Sequence, residues 1–188
     1  MWHAYGCEKM IEVPLPDAVW LVSPRVTVLV NTLDEKGELN SSPYSFVFPL
    51  GSDPPMVGVS VGSKQKFTYI NSKRNEEFVL CVVSEDFGQR AVNCEASHKP
   101  GDKLWQGQGF HAERSKKVNV PRIKEARAVL ECKVSNFVEL KGGRIILVGE
   151  VLHAETEEGG LDKVRPLLHV SGGKFRSAGR EILLERKK

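Results

Sequence analysis

Metal and redox signatures are the first thing missing. The four cysteines, Cys7, Cys81, Cys94 and Cys132, show no CxxC spacing. The five histidines (His3, His98, His111, His153, His169) include no i, i+4 pair and no zinc-type spacing to a cysteine, so no metal is expected. Each histidine is expected at the surface or in packing, with His153 facing solvent along an alternating strand. Cys81 and Cys132 lie in strand-like runs and read as small core hydrophobes. Such cysteine usage fits a reducing cytoplasm. Long apolar runs are absent too. The longest, Phe78 to Val83, has six residues, so no membrane helix is expected. The first ten residues, MWHAYGCEKM, lack a basic head followed by an apolar core, so no secretory signal is expected. Net charge is only +3. Basic clusters at Arg114 to Lys117 and Arg186 to Lys188 lack the aromatic ladder that stacks bases, which argues against nucleic acid as a partner. No serine sits in a nucleophile elbow.

What is present is a chain of 188 residues, 40% hydrophobic and 27% charged, with no internal repeat or linker that would divide it. It is expected to be one domain, residues 1–188, with an irregular, proline-punctuated start over 1–24. Arg25 to Thr32 alternates as a strand. Asp34 to Gly37 is a hairpin turn with glycine at the left-handed position, and Asn40 to Phe48 is the returning strand. Pro43 cannot donate to a ladder, so it marks an edge, a bulge or an opening. After the turn Gly51 to Pro55, Met56 to Val61 alternates again, with Gly58 permitting close approach of another group. Ser63 is expected to cap a helix over Lys64 to Arg74 that turns Phe67 and Ile70 inward and ends on Asn75. Phe78 to Val83 is apolar on both faces, hence central. A second helix after Ser84 carries Phe87, Ala91 and Cys94 on one face. Residues 97–122 read as loop. Val129 to Leu140 and Arg144 to Thr156 form a long hairpin, and Glu131 falls on its polar face. A short helix near Leu161 to Val164 and a last strand near Leu167 to Phe175 close the chain. Many strands, few helices and hairpin links predict a mainly β fold, an antiparallel Greek-key barrel.

The chemistry concentrates between Asn40 and Thr68. Ser41, Ser42, Tyr44 and Ser45 line one strand. Ser60, Ser63, Lys64, Lys66 and Thr68 crowd the start of the next helix. Hydroxyls, ammonium groups and a helix N-terminus are what a phosphate needs, and the dipole alone favours an anion there by roughly 0.3–1 kcal/mol. The same lysines read equally well, on the helix alone, as a solvated face. Two other phosphate motifs fail. Gly107 to Ala112 has the letters of a dinucleotide fingerprint but no preceding strand. Val170 to Lys174 resembles a phosphate loop but has Leu168 at the first glycine and Phe175 at the terminal hydroxyl.

The run Asn40-Ser-Ser-Pro-Tyr-Ser-Phe is followed in order by Ser52-Asp-Pro-Pro-Met-Val, Lys66-Phe-Thr-Tyr-Ile-Asn71, Glu77-Phe-Val-Leu and Gly149-Glu-Val. Together these resemble the flavin reductase-like, FMN-binding split-barrel family, above all its flavoredoxin and archaeal flavoprotein members. The resemblance implies a homodimer with one FMN per subunit near the interface. It implies that Ser45, Lys66 and Thr68 hold the phosphate. It also implies that backbone at Asn31, Thr32, Ser42, Pro43, Tyr44, Ser60 and Val61 meets the ring and ribityl chain. The implied activity is transfer of electrons from NAD(P)H through FMN to a flavin, a ferric chelate or a protein acceptor. The alternative is an FMN-bearing electron carrier reduced by a partner protein. Arg144 motivates that alternative, because it stands where NAD(P)H-oxidising members carry a histidine, and an arginine cannot act as a neutral imidazole. Phe175 stands near a position where tyrosine is common. No catalytic residue is singled out.

Overall fold

The computed structural model describes residues 10–96, 99 and 101–179. His3, Cys7, His98 and the basic tail Arg186 to Lys188 lie outside the described residues. In chain order the elements are α1 (Leu15–Ala18), a 3-10 turn (Val19–Val22), β1 (Arg25–Val26), β2 (Val28–Leu33), β3 (Leu39–Tyr44), β4 (Val47–Ser52), β5 (Pro55–Gly62), α2 (Phe67–Asn75) and β6 (Glu77–Val82). A 3-10 turn (Glu85–Phe87), α3 (Gly88–Asn93), α4 (Leu104–Gly107), β7 (Ala112–Glu113), β8 (Arg122–Ile123), β9 (Ala128–Leu140), β10 (Arg144–Thr156), α5 (Leu161–Val164), β11 (Leu168–Ser171) and β12 (Lys174–Arg176) follow.

Seven strands form one antiparallel sheet in the order β3-β2-β6-β9-β10-β5-β4. Its two edge strands, β3 and β4, are joined through Ser45 and Phe46 alone. A two-residue link cannot span a flat seven-stranded sheet, whose neighbours sit about 4.8 Å apart. The sheet must therefore curl until its edges meet. The seam carries no ladder between β3 and β4, and the Ser60 amide, bonded to the Phe46 carbonyl (2.9 Å), extends the β4-β5 ladder up to the corner. Pro43 sits on this edge strand, as its missing N–H requires. A second sheet, β1-β11-β12, lies beside the barrel, and β7-β8 makes a third.

Two apolar clusters explain the sequence pattern. Val28, Val30, Val59, Val61, Phe78, Leu80 and Leu147 fill the barrel, while Leu29, Val79, Cys81, Phe87, Ala91, Trp105 and Ile123 pack its outer side. Strand β6 lies between β2 and β9 and is apolar on both faces because both faces are covered. Burial pushes the thiols up, that of Cys94 to about 11 and that of Cys81 to about 12.

Several expected elements differ. The strand expected over 40–48 is two strands, broken at the seam, with β4 pairing to β5 and not to β2. The start of the chain is less irregular than expected, holding α1 and a 3-10 turn before Arg25. The loop over 97–122 contains α4, β7 and the first residue of β8. The last strand is a hairpin, β11-β12, turning at Gly172. Helix α2 starts at Phe67, not Lys64: Ser63 to Lys66 form a turn, and Ser63 caps nothing. Its buried face is Thr68, Tyr69, Asn71 and Ser72, whereas Ile70 is exposed. Polar residues can face inward here because each finds a partner: Asn71 donates to Thr32 Oγ1 (3.2 Å) and Ser72 to the Thr68 carbonyl (2.6 Å). Asn75 donates to the Leu33 carbonyl, and Glu76, with φ of 56°, terminates the helix in its place. Gly58 does admit a close neighbour, but it is the protein's own Phe48, whose ring a Cβ would meet at 2.4 Å. Glu131 faces inward, 1% exposed, and accepts the Lys116 and Lys117 amides. His153 is half-buried beside Glu155 (3.3 Å), so it faces solvent only in part.

Glu155 also binds Lys116 and Arg122, and these bonds drive its carboxyl from 4.5 down to about 2. A lowered carboxyl stabilises the fold above its unfolded value, and that contribution is lost as pH falls through the folded one. Between pH 5 and pH 2 the urea midpoint of the wild type is therefore expected to fall more steeply than that of Glu155→Gln. Parallel curves would refute the assignment.

Candidate functional site

The seam opens into a cleft with two adjoining lobes, about 470 and about 500 Å3. Both are within the size range of small-molecule sites. They share Trp20, Pro43, Tyr44, Ser45, Glu95 and His169. The first lobe adds Ser42, Phe46, Gln65, Lys66, Thr68 and Cys94; the second adds Thr27, Gly172 and Phe175.

The local fold explains this convergence. The edge strand β3 delivers Ser42 to Tyr44, and the seam delivers Ser45 and Phe46. Gly62, with φ of +87°, reverses the chain after β5 so that α2 starts beside the seam. Lys66 occupies the N-cap position with no side-chain cap, so the first-turn amides of α2 have no capping acceptor. Lys64 is tied to Glu139 at 2.7 Å, whereas Lys66 joins no ion pair among the described residues. Thr68 is buried, and the Tyr44 hydroxyl donates to its Oγ1 (3.0 Å). Thr68 thus keeps its own hydrogen for another acceptor. Burial raises the Tyr44 hydroxyl; the bond to Thr68 opposes that shift and the Glu95 carboxylate adds to it.

Of the residues singled out from sequence, Ser42, Pro43, Tyr44, Ser45, Lys66 and Thr68 meet in this cleft. Asn31, Thr32, Ser60 and Val61 do not line it. Asn31 lies between β3 and β6 and donates outward to the Pro121 carbonyl (2.8 Å). Thr32 is fully buried under Asn71, Val61 is in the barrel core, and the Ser60 amide is committed to Phe46. Arg144 begins β10, exposed and off the cleft lining. Sequence reasoning missed Trp20, Glu95 and His169. Trp20 sits in the segment taken as irregular, and His169 in the last strand, where it was read as a surface or packing histidine. The Arg25 guanidinium packs against the rings of both Trp20 (5.1 Å) and Phe46 (4.5 Å), which also meet each other edge to face, and so helps hold both on the cleft wall.

The cleft also holds a polar group without a partner. Thr27 is 3% exposed, lines the second lobe, and its Oγ1 has no hydrogen-bond partner among the described residues. A buried hydroxyl left unpaired costs about 1–3 kcal/mol, which a ligand group reaching it would offset. The donors on the walls fit a ligand that has both an anionic end and polar ring edges.

The model of the flavin reductase like domain matches residues 22–179. The chain belongs to this family. Family membership agrees with the antiparallel split barrel seen here, and the family is a flavin-binding one. An uncharacterised relative from Halalkalibacterium halodurans is 34% identical, over 88% of this chain and 87% of its own. Among solved structures, nitrilotriacetate monooxygenase component B from Bacillus cereus superposes with a TM-score of 0.85 at 23% identity, covering 94% of this chain and 100% of that one. Flavoredoxin of Desulfovibrio vulgaris (Miyazaki F) gives 0.82 at 18% identity, covering 94% and 96%. An FMN-binding protein from Thermus thermophilus, solved with bound p-hydroxybenzaldehyde, gives 0.75 at 25% identity, covering 95% and 99%. No helix among the described residues is long and apolar enough to cross a membrane.

Proposed function

We propose that this family member binds FMN in the seam cleft and passes electrons from NAD(P)H to a flavin, a ferric chelate or a protein acceptor. One observation carries the reading: Lys66, in no ion pair among the described residues, and donor-oriented Thr68 stand together at the uncapped start of α2, on the wall of an open cleft. Lysine, hydroxyl and helix amides are the donor set of a phosphate ester. Bound there, the flavin would supply an acceptor for a hydride or for single electrons. The chain's own residues hold the phosphate, present Trp20 and Phe46 as apolar walls, and offer Thr27 as a buried hydrogen-bonding group. A cytoplasmic homodimer fits this reading. Exposed Leu50 on β4 and exposed Val138 and Leu140 on the β9-β10 hairpin are apolar surface for a second copy.

Arg144 favours a second reading, an electron carrier reduced by a partner protein, because no histidine stands at that point of β10. One measurement separates the two. The purified protein is expected to be yellow with an oxidised-flavin spectrum, and anaerobic NADH or NADPH is expected to bleach it. A yellow protein that only dithionite or a reduced ferredoxin bleaches is the carrier. A colourless protein that ignores added FMN removes both.

A further inference from the structure

His169 projects from β11 into both lobes of the cleft, and its two ring nitrogens have different partners. Nε2 lies 3.0 Å from the Gly172 carbonyl. A carbonyl only accepts, so Nε2 carries a hydrogen. In the neutral imidazole Nδ1 is then bare, and the Ser45 hydroxyl 2.7 Å away must donate to it. Ser45 therefore turns lone pairs, not hydrogen, toward the cleft. That is the wrong polarity for an anion. Thr68 is the contrast, since Tyr44 donates to it and leaves its hydrogen free.

A proton added at Nδ1 reverses the arrangement. The imidazolium donates at both nitrogens, to Gly172 and to Ser45, and the Ser45 hydrogen is released to the cleft. One proton thus supplies both a donor and a nearby positive charge. The ring is held for this role: Phe175 packs on it with centroids 4.9 Å apart, and Trp20 meets its edge at 6.0 Å. The charged or titratable groups on the surrounding elements are Arg25, its register partner on β1, Tyr44 on β3, Lys66 before α2, Glu95 after α3, and Lys174 and Arg176 on β12.

We infer that His169 is a positioning residue for phosphate capture: binding of a phosphate ester in the cleft takes up a proton at His169, which turns the Ser45 hydroxyl from acceptor to donor. The inference rests on the proposed FMN reading. Its consequence is a preference for FMN over riboflavin that weakens as the solution is made more alkaline.

The test is a fluorescence-quenching titration of flavin-free full-length protein with FMN and with riboflavin, from pH 6 to pH 8.5. In the wild type the FMN-to-riboflavin affinity ratio is expected to fall roughly tenfold beyond the part due to ionisation of FMN itself, the size of a charge-assisted hydrogen bond. That part is common to all variants and cancels in the comparison. His169→Phe keeps an aromatic ring beside Phe175 but frees Ser45 permanently. It is expected to lose the extra slope and, at pH 8.5, to prefer FMN at least as strongly as the wild type. A packing role alone would lower both affinities together at every pH. Ser45→Ala, which leaves the histidine in place, is expected to reduce the slope too, and serves if His169→Phe does not fold. Identical slopes in the wild type and in the variant that folds would overturn the inference while leaving FMN binding intact. Equal affinities for FMN and riboflavin at all pH values would instead overturn the phosphate cradle, and this inference with it.

Discussion

Replacing Lys66 and Thr68 together by alanine is expected to weaken FMN binding about tenfold or more and to leave riboflavin binding nearly unchanged, on the basis of ~1.5–3 kcal/mol for each hydrogen bond to a charged group. The asymmetry between neighbouring lysines is the reason to choose Lys66. Lys64 already has the Glu139 carboxylate at 2.7 Å, so its charge is spent within the protein, and Lys64→Ala is expected to change little. Thr68 makes a direct and an indirect contribution. Its hydroxyl is buried at the cleft wall, and its loss strands the Tyr44 hydroxyl that donates to it. Tyr44→Phe in the wild-type background isolates the indirect part. Titration of flavin-free protein with both ligands decides the matter. Equal losses for FMN and riboflavin would move the phosphate elsewhere.

Glu131→Ala is expected to cost about 3 kcal/mol of stability, read from the urea midpoint, because a charged acceptor is removed from two backbone amides at once. Its carboxylate meets the Lys116 amide at 2.8 and 3.0 Å and the Lys117 amide at 2.6 Å. Those amides anchor the segment that carries buried Ser115, Val118 and Val120 onto the outer cluster. Glu131→Gln is expected to lose less, since one oxygen remains to accept while the new amide group opposes the second N–H. Glu77, which holds the Asn119 amide at 2.7 Å from a half-buried position at the start of β6, is the control, and Glu77→Ala is expected to cost under about 1 kcal/mol. A Glu131→Ala loss as small as that of the control would show that the loop is held by its apolar residues alone.

Local signals carried much of the architecture. Pro43, through its missing donor, narrowed its strand to an edge, a bulge or an opening, and the edge is what the sheet shows, while the two-sided apolar run of β6 pointed to a central strand. Asp34 and Gly37 announced a hairpin that the structure closes with two amides on the Asp34 carboxylate. The misread elements share one cause, a partner distant in sequence. Alternation puts Glu131 on a polar face, and only the loop around Lys116 makes that face an interior. Nothing in residues 40–48 says that the chain changes edge at Ser45, because the break is set by closure of the whole sheet. Helix α2 buries threonine, asparagine and serine because partners from β3, β2 and its own first turn await them. In the cleft, the hydroxyls and Lys66 are close in sequence and were legible together. Trp20 and His169 arrive from opposite ends of the chain, through β1 pairing with β11, and no spacing rule connects them.

The two-residue corner at Ser45 and Phe46 has a consequence for biosynthesis. The strands it joins lie at opposite ends of the ladder, with β2, β6, β9, β10 and β5 between them. A nascent chain that has released this corner from the ribosome still lacks β9 and β10, so the corner has no reason to bend. The cleft cannot take shape until residue 156 has emerged, and a chain cut before β9 keeps every hydroxyl on the cleft wall without the closure that brings them together.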